Sequence, residues 1–452
     1  MRERPVDAML RSAAGRVSAH MPGHKGRAPF PCPDLYALDT TELPLTDNLW
    51  RPEGAVAEAE RLYAEAVGAA CSLMLTGGAT AGVHAMLQLW AREGDTVILP
   101  RNAHLSAVNA CVIGGLDPVW IPVRTTDDGW PYVDEANALS VMEAHPEAKT
   151  ILLTRPDYGG CCVPLSRVAD RARKLGMRLV VDEAHGGHLP WMRKPRSCQA
   201  WGADAWVQSA HKTLPALTGC AALHLRDRSD RSRALNLLTR EQSSSPSYLL
   251  VRALDDARVW MEDHGRERLA LITEAVDGLR ARLPEMGLKD NHRLWSETGH
   301  DFDPTRLVIS APEGGCTLAR ALETAGIDAE MADDRRVVMI FTAMDEPQDI
   351  RAIGEALAAL PHPPQEGVRE PDPAPLPEKR MTPREAAMRP SSLLPLRQAG
   401  GHVSARAAGL YPPGVPLFMP GEIIGGEGLR QLIGAEDSRR FGTEGEMIEC
   451  AL

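Results

Sequence analysis

RLVVDEAH (178–185) and DAWVQSAH (204–211) each carry a short apolar run into a polar end, and this pattern decides the fold. Runs this short and this continuously apolar suit strands buried on both faces of a sheet. The same pattern recurs on either side, in DTVILP (95–100), PVWIPV (118–123), TILLTRP (150–156) and CAALHL (220–225). Helical stretches lie among them: GAVAEAERLYAEAV (54–67), TAGVHAMLQLWAR (80–92) and LSRVADRARKLG (165–176). Strands alternating with helices predict an α/β fold with a mostly parallel sheet covered on both sides. In such sheets ligands bind beyond the carboxyl ends of the strands.

Working outward, SYLLVRALDDARVWMEDHGRERLALITEAVDGLRARL (247–283) reads as a long helical region closing a large domain over 56–283. A smaller α/β unit is expected over 284–360. The proline-rich, charged stretch 361–383 marks a linker, taken as 361–390. A final module, 391–452, contains GLYPPGVPLFMPGE (409–422), and residues 1–55 form an N-terminal arm.

A chain of 452 residues exceeds what one core organises, in keeping with several domains. Its net charge of -11 argues against nucleic acid as a partner, because phosphate neutralisation needs a basic surface. No apolar stretch is long enough to span a membrane, and the first twenty residues lack the core of a secretory signal. The nine cysteines show neither CxxC nor His-paired metal spacing, so reduced thiols, no metal site and a cytoplasmic setting are expected.

Four segments carry chemistry. In QSAHKTLPALTG (208–219), Lys212 follows Ser209 and His211 at a strand's end, where desolvation lowers an amine's pKa and suits it to a Schiff base. In VVDEAHGGH (180–188), Asp182 ends a very apolar run and demands a partner; a protonated ring nitrogen is one, while a helix cap or a metal held with His185 and His188 are others. LTGGATAGVHAML (75–87) places Gly78, Ala79 and Thr80 at a helix start, which cradles phosphate. In LPRNAHLSAVNA (99–110), His104 follows a strand and can lie against a planar ring.

Together with HMPGHKG (20–26), PRNAH (100–104), SSSPSYLLVRALDDAR (243–258) and YPPGVPLFMPGE (411–422), these segments resemble the fold-type-I pyridoxal-phosphate decarboxylases of ornithine, lysine and arginine, in the family's order. The likeness is greatest to the short bacterial form without an N-terminal wing domain. It implies an aspartate-aminotransferase-like fold with a seven-stranded sheet, and pyridoxal 5'-phosphate as cofactor. By the resemblance, Lys212 carries the cofactor, Asp182 pairs with its ring nitrogen, His104 stacks on the ring and His185 faces the 3-hydroxyl. Gly78, Ala79, Thr80, Ser209 and His211 surround the phosphate, and Ser244 and Ser245 reach the phosphate of a neighbouring subunit, which makes a homodimer the active unit. Glu422 is a candidate partner for a substrate cation.

The implied reaction removes carbon dioxide from a basic amino acid, arginine before lysine or ornithine, with Lys212 or His211 returning a proton to Cα. Ala79, Val83 and Leu105 depart from the family pattern, each change worth about 1 kcal/mol as a lost hydrogen bond. They keep open an aminotransferase, a decarboxylation-dependent oxidase or a non-catalytic homologue.

Overall fold

A computed structural model describes residues 16–452 except 34, 44, 127–128, 195–197, 293–298, 362–374 and 412–413. Residues 1–15 of the expected arm and 362–374 of the expected linker thus lie outside the described residues.

Seven strands make the main sheet: β1 Cys71–Leu75, β2 Thr96–Pro100, β3 Asp117–Ile121, β4 Thr150–Thr154, β5 Arg178–Asp182, β6 Ala205–Gln208 and β7 Ala221–Leu225. Their order is β1-β7-β6-β5-β4-β2-β3. β7 runs antiparallel to both neighbours, and all other pairs are parallel. Six of these strands are the apolar runs read above. The seventh, CSLML at β1, has no β-branched residue and gives little local signal; pairing with β7 recruits it as an edge.

Pleating explains the unbroken apolar runs. Val97, Leu99, Leu152, Val180 and Val207 face one core, whereas Ile98, Ile151, Leu153, Leu179, Val181 and Trp206 face the other. Successive side chains alternate between two helix-covered faces, so neither parity is polar. Strands β5 and β6 end at Asp182 and Gln208, earlier than the runs 178–185 and 204–211 imply. The chain then turns, and Lys212 sits in the single helical turn Ala210–Thr213 rather than on the strand.

A chain of polar side chains crosses four neighbouring strands inside this apolar layer. The Ser72 hydroxyl lies 2.7 Å from His224 Nδ1, and His224 Nε2 lies 3.2 Å from Gln208 Oε1. The Gln208 amide donates to Glu183 Oε2 at 2.6 Å, and the Cys198 thiol donates to Glu183 Oε1 at 2.9 Å. All five residues are buried. Burial raises the Glu183 carboxyl to a pKa of about 7. Each partner is satisfied only in one register, so the row fixes the relative heights of β1, β7, β6 and β5.

The smaller sheet contains β8 Lys289–Asp290, β9 Arg306–Ser310, β10 Met331–Ala332 and β11 Arg336–Ile340, in the order β8-β9-β11-β10 and antiparallel throughout. Val17–Ala19 pairs parallel with Ile327–Ala329, so the arm is stitched to this unit. The last module has its own core around Phe418, Ile424, Leu432 and Ile448. It meets the large domain through Arg101, whose guanidinium grips Glu422 at 2.7 Å with both groups buried.

The helix α1, Gly78–Gln88, lies directly against β6 and β1. A Cβ at Gly82 would stand 2.5 Å from Val207 Cγ2 and 3.0 Å from Leu75 Cδ1. Gly82→Val should therefore destabilise the protein by about 1–3 kcal/mol, as core overpacking does. Urea denaturation checks this; an unchanged midpoint contradicts the packing.

Candidate active site

The carboxyl ends of β5 and β6 bring Asp182, His185, Ser209, His211 and Lys212 together. The Lys212 amine stands 3.0 Å from His185 Nε2. On the other side of that ring, Arg306 Nη2 donates to His185 Nδ1 at 3.3 Å. A guanidinium has no lone pair to accept with, and a neutral imidazole has one N–H. Nδ1 is then the acceptor, Nε2 carries the proton, and Lys212 receives it as a free amine; the tautomer is assigned from these contacts.

The surroundings push the same way. Burial, then the charges of Lys212 and Arg306, hold His185 well below its ordinary pKa. Burial also lowers the Lys212 pKa, against the opposing pull of Asp182. Asp182 is buried, and its Oδ1 accepts the Ala184 amide at 3.1 Å. Its negative charge acts on both Lys212 and His104.

His104 caps the helix Leu105–Gly114, with Nδ1 taking the Ser106 amide at 3.2 Å; partial desolvation lowers its pKa although the residue stays exposed at the surface. This cap fixes the ring beside the strand end. Ser209 Oγ lies 3.2 Å from His211 Nδ1, which also lies 3.0 Å from the Cys220 carbonyl. A proton shared with that carbonyl leaves His211 Nε2 with its lone pair, and burial lowers this imidazole's pKa.

The glycine turn is divided in its duties. The Gly78 amide donates to the Gly219 carbonyl at 2.8 Å. The Thr76 and Gly77 amides donate to Gln242 Oε1 at 3.1 and 2.9 Å. The amides of Ala79 and Thr80, in the first turn of α1, have no acceptor within the helix and are the ones able to hold an anion. Val83 is buried in the apolar core, and Leu105 is 41% exposed beside His104. Ser244 and Ser245 are exposed, and the hydrogen bonds of Ser245 stay within its loop.

Two expectations meet other partners. Glu422 is engaged by Arg101 and by the Met419 amide, so a substrate cation would have to displace a buried ion pair to reach it. His188 turns away from His185 towards Asp303, 3.1 Å distant, which separates the two imidazoles considered as a metal pair.

The structure adds residues without a local sequence signal. Arg306 enters from β9, buried, with Nε and Nη1 unpartnered. Tyr158 sets its ring edge-on to His185, centroids 5.4 Å apart, and its hydroxyl donates to Glu330 at 2.9 Å. Gly23, within HMPGHKG, donates its amide to the His211 carbonyl at 2.7 Å. A Cβ there would come within 2.6 Å of the Leu214 carbonyl oxygen, so only glycine lets the arm lie on the backbone beside Lys212. The motif was legible; its role was not.

A free, half-buried amine, a nearby carboxylate, unpaired helix-start amides and orphaned guanidinium nitrogens fit an anionic aldehyde cofactor. A family model described as Orn/Lys/Arg decarboxylase, major domain, matches residues 12–296, and the C-terminal domain of the same family matches 369–434. An arginine decarboxylase of Bacillus subtilis (strain 168) is 31% identical over 447 residues, covering 93% of this chain and 91% of that protein. An arginine decarboxylase of Halalkalibacterium halodurans is 28% identical, covering 90% and 88%. The solved structure of lysine decarboxylase A from Pseudomonas aeruginosa shares the fold, with a TM-score of 0.77 over 92% of this chain and 74% of that one, at 17% identity.

Gly23→Ala should weaken retention of pyridoxal phosphate about tenfold, since strain of roughly 1–3 kcal/mol falls on the Lys212 segment; equilibrium dialysis reads the change, and wild-type affinity would refute the close approach. The lowered amine pKa gives a pH sign. Apoprotein should take up the aldehyde faster as pH rises, levelling off below pH 10.5, the ordinary lysine value, because the free base is the nucleophile. Stopped-flow absorbance follows this, and a midpoint at or above 10.5 contradicts it.

Proposed function

The chain belongs to the Orn/Lys/Arg decarboxylase family, pyridoxal-phosphate enzymes that decarboxylate basic amino acids, and on that premise we propose that its substrate is arginine and its product agmatine. The fold is that of fold-type-I enzymes of this cofactor. Arginine is favoured by the likeness to two Bacillus-type arginine decarboxylases along nearly the whole chain.

The observation that carries the reading is the proton arrangement Arg306–His185–Lys212, which supplies a nucleophilic amine beside Asp182. When bound, pyridoxal phosphate supplies an aldehyde for amines and a protonated ring that withdraws the electron pair left at Cα as carbon dioxide departs. Lys212 would hold the aldehyde carbon, and Asp182 would keep a proton on the ring nitrogen. His104 would cover one face of the ring, and the His185 imidazole would face the phenolic oxygen. The Ala79 and Thr80 amides, on the turn made by Gly78, would bind the phosphate together with Ser209 and His211.

With substrate seated, the Lys212 amine would stand at the reacting centre as a base of lowered pKa. Such an amine can take up a proton and return it to Cα, and His211 is the alternative once its Nε2 has accepted a proton to pass on.

We take the working unit to be a homodimer. Ser244 and Ser245 are exposed in the single chain, and the arm displays Tyr36 at 91% and Leu45 at 99% exposure, apolar surface that a second copy would cover. A cytoplasmic setting is supported by nine free thiols. Among the described residues no helix is long and apolar enough to cross a membrane.

Incubating the protein and cofactor separately with arginine, lysine and ornithine should yield agmatine and carbon dioxide from arginine at the highest kcat/KM. Lys212→Ala should remove the visible absorbance of the lysine-bound cofactor and cut turnover by at least about a thousandfold. A keto acid product, peroxide, or a preference for lysine would each overturn a stated part of this reading.

A further inference from the structure

Glu330 stands where the three parts of the molecule converge on the site, and nothing in the reaction described above uses it. It joins Ile327–Ala329, which pairs with the arm, to Met331–Ala332 at the edge of the small sheet, and its own amide donates to the Val338 carbonyl at 3.0 Å. Its carboxylate leaves the small unit and reaches the large one, where Oε1 accepts the Tyr158 hydroxyl at 2.9 Å. Oε2 accepts the Met21 amide of the arm, also at 2.9 Å.

Both donors are neutral. The side chain is half-buried, and a carboxylate hydrogen-bonded there by neutral donors suits a cationic partner. Lys25, nearby in the arm, is already bonded to the carbonyls of Ser18, His20 and Ile340, and it pairs with Asp345 at 3.6 Å. Arg306 faces His185 and Asp303. The Glu330 charge is nonetheless felt at Lys212.

The route from the amine to this carboxylate crosses two rings: Lys212 to His185 at 3.0 Å, His185 to Tyr158 at 5.4 Å between centroids, and Tyr158 to Glu330. Tyr411, half-exposed in the last module, acts electrostatically on Tyr158 from the outer side. An anion set apart from the amine by ring faces matches a substrate that carries its cation several bonds from the α-carbon.

We infer that Glu330, positioned by Tyr158 and the Met21 amide, is the carboxylate that receives the distal cation of the basic amino acid and so sets the preference for charged over neutral side chains. The inference rests on the decarboxylase reading and names the group that selects its substrate. Ion-paired hydrogen bonds are the strong ones, and removing the charge leaves the cation desolvated without a partner.

The test compares wild type with Glu330→Gln, both loaded with pyridoxal phosphate. The substrates are the basic amino acid that wild type uses best and its neutral isostere, citrulline for arginine or norleucine for lysine. Glu330→Gln should lower kcat/KM for the basic substrate about 10- to 100-fold, mainly through KM, and leave the neutral one nearly unchanged. Calorimetric titration with the product amine should show affinity falling by a similar factor, a readout that needs no turnover. The visible cofactor absorbance should persist.

Unchanged selectivity and amine affinity in an active Glu330→Gln protein would overturn the inference while leaving the decarboxylase reading intact. A wild type that makes no amine from any basic amino acid would remove that reading itself. Should Glu330→Gln fail to fold, Glu330→Asp decides: withdrawing the charge by one methylene must weaken binding of the product amine several-fold more than binding of its neutral isostere. Equal weakening would make Glu330 a structural tie only.

Discussion

Two bases within hydrogen-bond reach, one of them the buried His185, do not both hold a charge, and that constraint organises the centre of the molecule. Arg306 always carries its protons, so it dictates that His185 accept at Nδ1 and donate from Nε2 towards Lys212. Lys212 is held as an uncharged amine by a geometric rule, and desolvation reinforces the rule by disfavouring charge on either base. Asp182 supplies the counterweight, a buried carboxylate close enough to act on the amine.

Such an arrangement tolerates little slip. The polar row from Ser72 through His224 and Gln208 to Glu183 fixes the heights of the strands that deliver these groups. Asp182 ends the strand before Glu183, and Ser209 follows Gln208, so one register error would move the two sides of the candidate site apart. Glycines do complementary work. Gly82 lets α1 settle on the sheet, and Gly23 lets the arm lie against the backbone beyond Lys212. The arm in turn is pinned to the smaller unit by Thr342, whose hydroxyl donates to the Gly23 carbonyl at 2.8 Å, and by Lys25 on the Ile340 carbonyl. The site is thereby closed by segments that are remote in sequence.

Much of the centre is legible in the sequence. Lys212, Asp182, His104 and the helix-start turn stand in short motifs whose chemistry is local: an amine after small hydroxyl residues, an acid ending an apolar strand, glycines opening a helix. The strands were legible for the same reason, because β-branched runs are local signals. β1 was not, since CSLML becomes a strand only through β7. Glu422 shows the opposite failure, for a carboxylate in a distinctive motif invited a substrate role, whereas Arg101, far away in sequence, already holds it.

The sequence by itself determined the class of fold, the family and the motif that carries Lys212, because each of these is written in residue order over a few positions at a time. Tertiary structure alone decided the protonation pattern, the ring between His185 and Glu330, and the approach of Gly23. Those depend on distances between side chains that are 121 and 172 positions apart for Arg306–His185 and Tyr158–Glu330. A linear chain carries no record of such distances until hydrophobic packing has closed the loops between them.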